Sequence, residues 1–287
     1  MELTGEEATT DAGGEKQTWE GAAHLEPGML TFTGHLGAAE AHAHAAVQVV
    51  ALTTGTVVFT DRYGHRHRAA AAIIPAGVVH AVEVPRQADG QAYGTTYYLD
   101  PASRAAAGVV ARVEAAGDRH QASTWIAAAA DIDTSAAALA VLAQPNRAFQ
   151  ADGVALEAVQ SGLHPAMAAL LASASQRPPH SGGPAVPVTL AEAAAAVGLS
   201  ATRLGHLFTD QLGLPYTAWR RWVRLQHAMA AVQRGDTLTE AAHAAGFTDS
   251  AHLTRVCRAM FGITPSQAVR AAGWHPPRRR QSDGRSR

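Results

Sequence analysis

The feature of this sequence that most constrains its fold is a segment that occurs twice near the C-terminal end. Eleven residues beginning at Thr189, TLAEAAAAVGL, recur 48 positions later at Thr237 as TLTEAAHAAGF, with seven identical positions. Each copy opens with Thr-x-x-Glu, the capping box of a helix start, and runs through alanines to a glycine, a common helix stop. A polar turn and a second amphipathic stretch follow each copy. The repeat therefore predicts two helix-turn-helix units.

Charge is divided unevenly along the 287 residues. Residues 188–287 carry 13 arginines and 6 acidic residues, whereas residues 1–187 carry 10 basic and 18 acidic ones. A basic C-terminal third indicates that this part meets a polyanion, and a helix-turn-helix unit places its second helix in the major groove of DNA. We therefore predict double-stranded DNA, at a promoter or operator, as a partner. RNA polymerase and a second copy of the chain, in a homodimer, are further expected partners.

The cysteine count and the apolar runs of the sequence indicate the cellular compartment of the protein. Cys257 is the only cysteine, so an internal disulfide is excluded and a reducing compartment is favoured. No apolar run approaches the roughly 20 residues of a membrane span. Residues 1–17 are polar and acidic and lack the apolar core of a secretory signal. We predict a cytoplasmic protein with no membrane partner.

Patterning along the chain predicts an α+β multidomain protein. Short apolar runs at 47–52, 56–60, 71–74 and 93–99 predict strands of a small sandwich or barrel, with a hairpin turn at Asp61–Gly64. Helical patterns follow at 102–116, 133–143 and 165–175. The predicted order is a disordered leader (1–17), a β-rich sensing domain (18–100), a helical dimerisation or relay region (101–172), a linker (173–187), an all-α DNA-binding domain (188–272) and a basic tail (273–287).

The two predicted second helices each have an apolar and a polar face. Ser200 and Asp249 precede them as N-caps. Helical spacing predicts that eight residues face inward: Leu204, Leu207, Phe208, Leu212, Leu253, Val256, Cys257 and Met260. Between the units, residues 218–232 predict one long helix with Trp219 and Trp222 inward and with Arg220, Arg221 and Arg224 available for backbone contacts or salt bridges.

The stretch from about residue 188 to 270 resembles the DNA-binding domain of the AraC/XylS transcriptional regulators. The matching motifs are Leu204-x3-Phe208-x4-Gly213, Arg224-Leu-x-x-Ala228, Ala242-x3-Gly246-Phe247, Leu253-Thr-Arg255 and Gly262-Ile-Thr-Pro-Ser266. The resemblance implies DNA-contacting residues Thr202, Arg203, Gly205 and His206 in the first unit and Ser250, Ala251, Thr254 and Arg255 in the second. Two departures from the family pattern indicate weaker base recognition by the first unit. Gly205 has no side chain, and His206 stands where the family often has Arg.

A second constellation lies in the N-terminal half. On one strand, His42, His44 and Gln48 would share a face, and His80 ends the motif Pro75-Ala-Gly77-Val-Val-His80. The pair of motifs resembles those of the cupin barrel, whose closure would bring His80 beside the other two. Three imidazoles could bind a divalent metal such as Zn, Fe, Ni or Mn. Gln48 replaces the usual Glu, so these four residues could instead line a polar pocket for a small-molecule effector.

Together these features predict a one-component, sequence-specific transcription regulator controlled by a small effector. The predicted architecture is an N-terminal cupin-like β-barrel at 18–100, followed by helices and a C-terminal all-α double helix-turn-helix domain. The alternative is a metal-dependent cupin enzyme fused to a DNA-binding domain. It is disfavoured because no carboxylate and no acid–base pair accompany the histidines. No catalytic residues are predicted, and no cofactor other than the candidate metal. A third possibility is a metal-responsive regulator, which combines the DNA-binding domain with the metal site and needs no catalysis.

Overall fold

A computed structural model describes residues 19–26, 28–85, 91–130, 163–176 and 188–274. The predicted leader, the predicted helix at 133–143, residues 177–187 of the predicted linker and the basic tail from 275 lie outside these residues. The described N-terminal part is β-rich and the described C-terminal part is helical, so the predicted α+β class is confirmed. None of the described helices combines the length and apolar character that crossing a membrane requires.

Nine antiparallel strands form two sheets. One has five strands in the order β1-β2-β9-β4-β7, and the other has four in the order β3-β8-β5-β6. Among the described strands no pairing joins the two sheets, so the arrangement is an open sandwich and not a closed barrel. The strands are β1 (Glu20–Glu26), β2 (Met29–His35), β3 (Ala39–His42), β4 (Val47–Thr54), β5 (Val57–Asp61), β6 (Arg66–Ala69), β7 (Ala71–Ile74), β8 (His80–Glu83) and β9 (Tyr93–Leu99).

Asp61 organises the predicted hairpin and the helix packed beside it. Its carboxylate accepts hydrogen bonds from the backbone N–H groups of Tyr63 at 2.9 Å and His65 at 3.0 Å. The same carboxylate accepts the N–H of Ala122 at 3.2 Å, in the first turn of a helix that the sequence did not predict. One buried side chain therefore joins the β5–β6 turn to the helical layer.

Nine helices are described, and their packing defines two helical groups. The first two helices pack against each other and against strand β7, and their residues Val109, Val113 and Trp125 are buried. The others form the C-terminal part, with α3 ending inside the predicted linker. The helices are α1 (Arg104–Ala116), α2 (Ala122–Ala129), α3 (Pro165–Gln176), α4 (Leu190–Ala196), α5 (Ala201–Leu212), α6 (Tyr216–Gln233), α7 (Leu238–Ala244), α8 (Ser250–Phe261) and α9 (Pro265–Ala271).

The two repeats fold as predicted at the local level. Thr189 and Thr237 form complete capping boxes with the glutamates three residues on, and start α4 and α7. Ser200 and Asp249 accept N–H groups at the starts of α5 and α8. Both of these helices end at a glycine with positive φ, Gly213 and Gly262. The eight residues predicted to face inward on α5 and α8 are all buried.

The β-rich and helical parts pack directly against each other. Phe261, the last residue of α8, lies 5.0 Å from the ring of Tyr98 in β9 and 6.0 Å from that of Trp222 in α6. The N–H of Ala43 donates to the carbonyl of Ala259 at 3.3 Å. A Cβ on Gly262 would lie 2.8 Å from the backbone oxygen of Glu40, so only glycine fits there. The C-terminal end of α8 is therefore held by strand β3.

Candidate nucleic-acid interface and histidine cluster

Helices α5 and α8 present the residues predicted to contact DNA. Thr202, Arg203 and His206 on α5 are exposed, and Gly205 is partly exposed beside Leu190. On α8, Ala251 and Arg255 are exposed while Ser250 and Thr254 are half-buried. The Thr254 hydroxyl donates to the carbonyl of Ser250 at 2.8 Å, which leaves its oxygen lone pairs as acceptors. All eight residues thus lie on the two helices that follow the turns.

Arg255 also faces the β-rich part. A cleft of about 500 Å³ lies between α8, the loop at Ala43–Ala45 and Gly77. Arg255, His252 and Arg221 line its helical side, and His44 lies at its β side. Arg255 therefore sits at the boundary between the outer face of α8 and the interface between the two parts.

Arg224 has a structural position that the sequence did not reveal. It is buried, and its guanidinium donates to the carbonyl oxygens of Ala245 and Gly246, just after the C-terminal end of α7. It also lies 4.1 Å from the centre of the Phe247 ring. Burial lowers the pKa of Arg224 to about 10. This side chain therefore joins the linker helix α6 to the second repeat.

His42, His44 and His80 converge, as predicted, but by a different route. The prediction that one strand presents His42, His44 and Gln48 on one face is wrong. His42 ends β3 in the four-stranded sheet, His44 lies in the following loop, and Gln48 belongs to β4 in the five-stranded sheet. His80 is opposite His42 in the β3–β8 pair. The chain crosses between the sheets here, and the four side chains meet between them.

The cluster is compact and buried. The ring centres of His42 and His80 lie 4.2 Å apart, and those of His44 and His80 lie 5.0 Å apart. Exposed fractions are 5% for His42, 2% for Gln48 and 1% each for His44 and His80. Burial, followed by the charge of His44, lowers the pKa of His42 to about 4. Burial also lowers the pKa of His44 and of His80, so all three rings are neutral at pH 7.

Backbone carbonyls determine the tautomer of each ring. Nδ1 of His42 lies 2.7 Å from the oxygen of Glu40, Nδ1 of His44 lies 2.7 Å from that of Ala46, and Nδ1 of His80 lies 3.0 Å from that of Val78. A carbonyl oxygen only accepts, so each Nδ1 carries the single hydrogen of a neutral ring. Each Nε2 is left with a lone pair. Fixing the outer nitrogen in this way is how proteins orient imidazole ligands toward a metal.

The donor set fits a divalent metal. One ligand atom from each of the three histidines lies within 4.8 Å of the others. Zinc–nitrogen bonds of about 2.1 Å require the donors to be closer together than this, so the rings would move inward to close the set. The cluster contains no carboxylate among the described residues. Neutral nitrogen donors suit Zn, Ni or Fe(II) better than Mg or Ca.

Three aromatic residues that the sequence did not single out surround this cluster. Tyr98 packs edge-on to His44 at 5.4 Å, Phe261 lies 6.3 Å from His44, and Trp125 lies 6.2 Å from His80. Burial raises the pKa of Tyr98 to a value far above its ordinary one, so its hydroxyl keeps its proton. Strand register and the docking of α8 bring these rings together, and neither is visible in the order of residues.

Comparison with known proteins identifies the C-terminal part. Residues 193–271 match the family model of a helix-turn-helix domain. The regulatory protein ada of Salmonella typhimurium is 35% identical over 81 residues, which cover 28% of this chain and 23% of that protein. The structure of ToxT from Vibrio cholerae O395 is 9% identical with a TM-score of 0.50, covering 86% of this chain and 99% of that one. The similarity to ToxT shows a shared fold, and residues 193–271 are a helix-turn-helix domain.

Proposed function

We propose that this chain is a sequence-specific DNA-binding transcription regulator whose β-rich part senses a small effector. The observation that carries the proposal is the pair of capped helices, α5 and α8, which follow matching turns on either side of the long helix α6. Paired helices of this kind contact successive major-groove faces about one turn, roughly 34 Å, apart. The net positive charge of residues 188–287 supplies attraction to phosphates.

The test compares DNA sequences at fixed salt. Fluorescence anisotropy would measure the affinity of the full chain for a fragment from upstream of its own gene and for a shuffled fragment of the same length and composition. A specific regulator prefers the true site by roughly 1,000-fold or more. Equal affinity for true and shuffled fragments from its own and neighbouring promoters would refute sequence-specific regulation.

The proposal includes a homodimer and an action on RNA polymerase. The apolar faces of α1 and α2 are covered by strand β7 of the same chain, which supports a relay role for these two helices. The rest of the predicted dimerisation region, residues 131–162, lies outside the described residues. Sedimentation equilibrium of the full chain tests the dimer, and a mass that stays monomeric at micromolar concentrations would refute it.

For the effector, the histidine cluster supports a divalent metal. The three Nε2 lone pairs would hold the ion and the Gln48 amide oxygen would complete the set, while the metal would supply only a structural and charge change. The three histidines and the amide would orient it and exclude water. A regulator of this kind needs no catalysis, and the lack of a carboxylate in the cluster gives no support to the alternative of a cupin enzyme.

Metal content tests the effector class. Protein purified without chelator or affinity tag is compared with a His42→Ala/His44→Ala variant by elemental analysis. The matched control is His24→Ala/His67→Ala, which removes two histidines outside the cluster from the same part of the chain. Near-stoichiometric Zn, Fe, Ni or Mn in the wild type and in the control, absent from the cluster variant, supports a metal effector. No metal in any of the three would turn the search to organic effectors.

A further inference from the structure

Gln48 presents a conflict of hydrogen bonding inside the histidine cluster. Its Oε1 lies 2.9 Å from Nε2 of His44 and 3.0 Å from Nε2 of His80. Both nitrogens bear lone pairs, because the hydrogens of these rings are held at Nδ1 by the carbonyls of Ala46 and Val78. An acceptor therefore faces two acceptors in a buried site. Unpaired buried polar atoms are costly, so this arrangement needs a partner.

Two arrangements resolve the conflict. A cation between the oxygen and the nitrogens turns all three atoms into ligands. Alternatively, a half-turn of the amide brings its NH₂ group inward, and its two hydrogens then serve the two Nε2 atoms. Only these two orientations of a planar amide fill the same space, so each of the two resolutions requires its own orientation of Gln48.

The end of the amide that faces away from the histidines differs between the two orientations. Nε2 of Gln48 lies 3.5 Å from the hydroxyl of Tyr98, which is buried. With the oxygen inward, the amide donates to this hydroxyl. With the nitrogen inward, the hydroxyl must donate to the amide oxygen. The proton of Tyr98 therefore changes direction when the amide turns.

Tyr98 connects this change to the second DNA-contacting helix. Its ring packs edge-on against Phe261, the last residue of α8, with centres 5.0 Å apart, and His44 also faces Phe261. The same end of α8 is bonded to the β-rich part through Ala43 and Ala259 and packs closely against it at Gly262. The Tyr98 ring, Phe261 and the end of α8 are therefore in direct contact, so a shift of Tyr98 that followed the turn of the amide would reach α8.

We infer that Gln48 is a two-position relay, nitrogen inward without a cation and oxygen inward with one, and that Tyr98 and Phe261 carry its position to α8. This rests on the proposed function, since it gives the regulation of the same metal-sensing site. It assigns Gln48 a role that glutamate could not fill, because a carboxylate cannot donate to the imidazoles when the cation is absent.

The first test observes the amide directly. In ¹⁵N-labelled full-length protein without metal, we expect scalar coupling across N–H···N hydrogen bonds between Nε2 of Gln48 and Nε2 of His44 and His80. On addition of Zn²⁺ these couplings should disappear. Their absence from the metal-free protein, or their persistence with Zn²⁺ bound, would overturn the two-position relay.

The second test separates metal binding from its transmission. Zn²⁺ should change the affinity of the wild type for its promoter fragment by roughly 5-fold or more, as expected for an allosteric coupling, and DNA should change Zn²⁺ affinity by the same factor. Tyr98→Phe keeps the ring but removes the hydroxyl, so Zn²⁺ affinity should stay within about threefold while the effect on DNA falls below about twofold. Tyr97→Phe, a buried neighbour on the other face of β9, is the control and should respond as the wild type does.

The outcomes distinguish the relay from the function on which it rests. A Tyr98→Phe protein that responds to Zn²⁺ as fully as the wild type would overturn the relay. A wild type that binds Zn²⁺ but shows no change in DNA affinity would also overturn it, while a preference for the true promoter over shuffled DNA would leave the proposed regulator intact. Loss of that preference in every variant would be a failure of the proposed function instead.

Discussion

At the residue scale, several assignments that looked alike in the sequence have different roles. Arg220, Arg221 and Arg224 share one helix, but only Arg224 is buried against the end of the second repeat. Helical spacing cannot distinguish an arginine that faces solvent from one that meets backbone carbonyls of another helix. The histidines were identified from their motifs, whereas Tyr98 and Phe261 could not be, because contact between them depends on how two parts of the chain dock.

Arg224 should contribute to stability more than its exposed neighbour. Arg224→Met leaves the carbonyls of Ala245 and Gly246 without this donor and removes the guanidinium from the face of the Phe247 ring. We expect a decrease of about 1–3 kcal/mol in the free energy of unfolding. Arg221→Met, on the exposed side of the same helix, should cost less than about 0.5 kcal/mol. Equal decreases in urea unfolding would contradict the structural role of Arg224.

The histidine cluster predicts a pH dependence of stability in the metal-free protein. The folded pKa of His42 is about 4, below the unfolded value of 6.5, so the unfolded chain binds more protons between these pH values. Stability should be constant above about pH 7 and fall as the pH drops, by about 2 kcal/mol at pH 5 from His42 alone. Urea unfolding in chelator at pH 7.5 and 5.0 measures this. A His42→Gln variant with the same decrease would show that other groups cause it.

At the scale of elements, local signals predicted most of the helical part. Capping residues and terminal glycines located α4, α5, α7 and α8, and apolar runs located β4, β5, β7 and β9. Helix α2 was missed because its residues, Ala122–Ala129, are apolar nearly throughout and have no polar face to mark the period. The sheet crossing after His42 was missed because alternation along 42–48 looks the same whether or not the strand changes sheets.

Arg255 on α8 should determine part of the DNA preference. A guanidinium bonded to both guanine acceptors contributes about 1–3 kcal/mol of discrimination, so Arg255→Ala should reduce preference for the true site by roughly 5- to 150-fold. Arg258→Ala, also exposed but in the last turn, should weaken binding to true and shuffled fragments alike. Competition binding at fixed salt distinguishes the two. An unchanged preference in Arg255→Ala would remove this residue from base recognition.

At the scale of the whole molecule, charge and docking determine how the two parts act together. The division between an acidic N-terminal part and a basic C-terminal third was visible in the sequence, and it indicated which part meets DNA. One apolar core runs through both parts, by way of Tyr98, Trp222 and Phe261. The sequence did not indicate this core, because each apolar stretch could have been covered within its own part. The docking joins the β-rich part and the helix-turn-helix part into one packed unit.

The C-terminal tail should add affinity without preference. Residues 276–287 carry five arginines and one aspartate. Deleting them should weaken binding to every fragment and make the dependence of affinity on salt less steep, by about 0.9 in the logarithmic slope for each phosphate that the tail neutralises. The ratio of true to shuffled affinity should not change. A salt titration of both proteins tests this, and a shifted ratio would mean that the tail reads sequence.

The most direct measurement of the central account is a methylation-protection footprint of the full chain on its promoter fragment. Two helices reading successive major-groove faces should protect two patches of guanines on one side of the duplex, about 10 base pairs apart. Arg255→Ala should abolish protection in one patch and keep it in the other. A single protected patch, or uniform weak protection along the fragment, would contradict reading by two helix-turn-helix units.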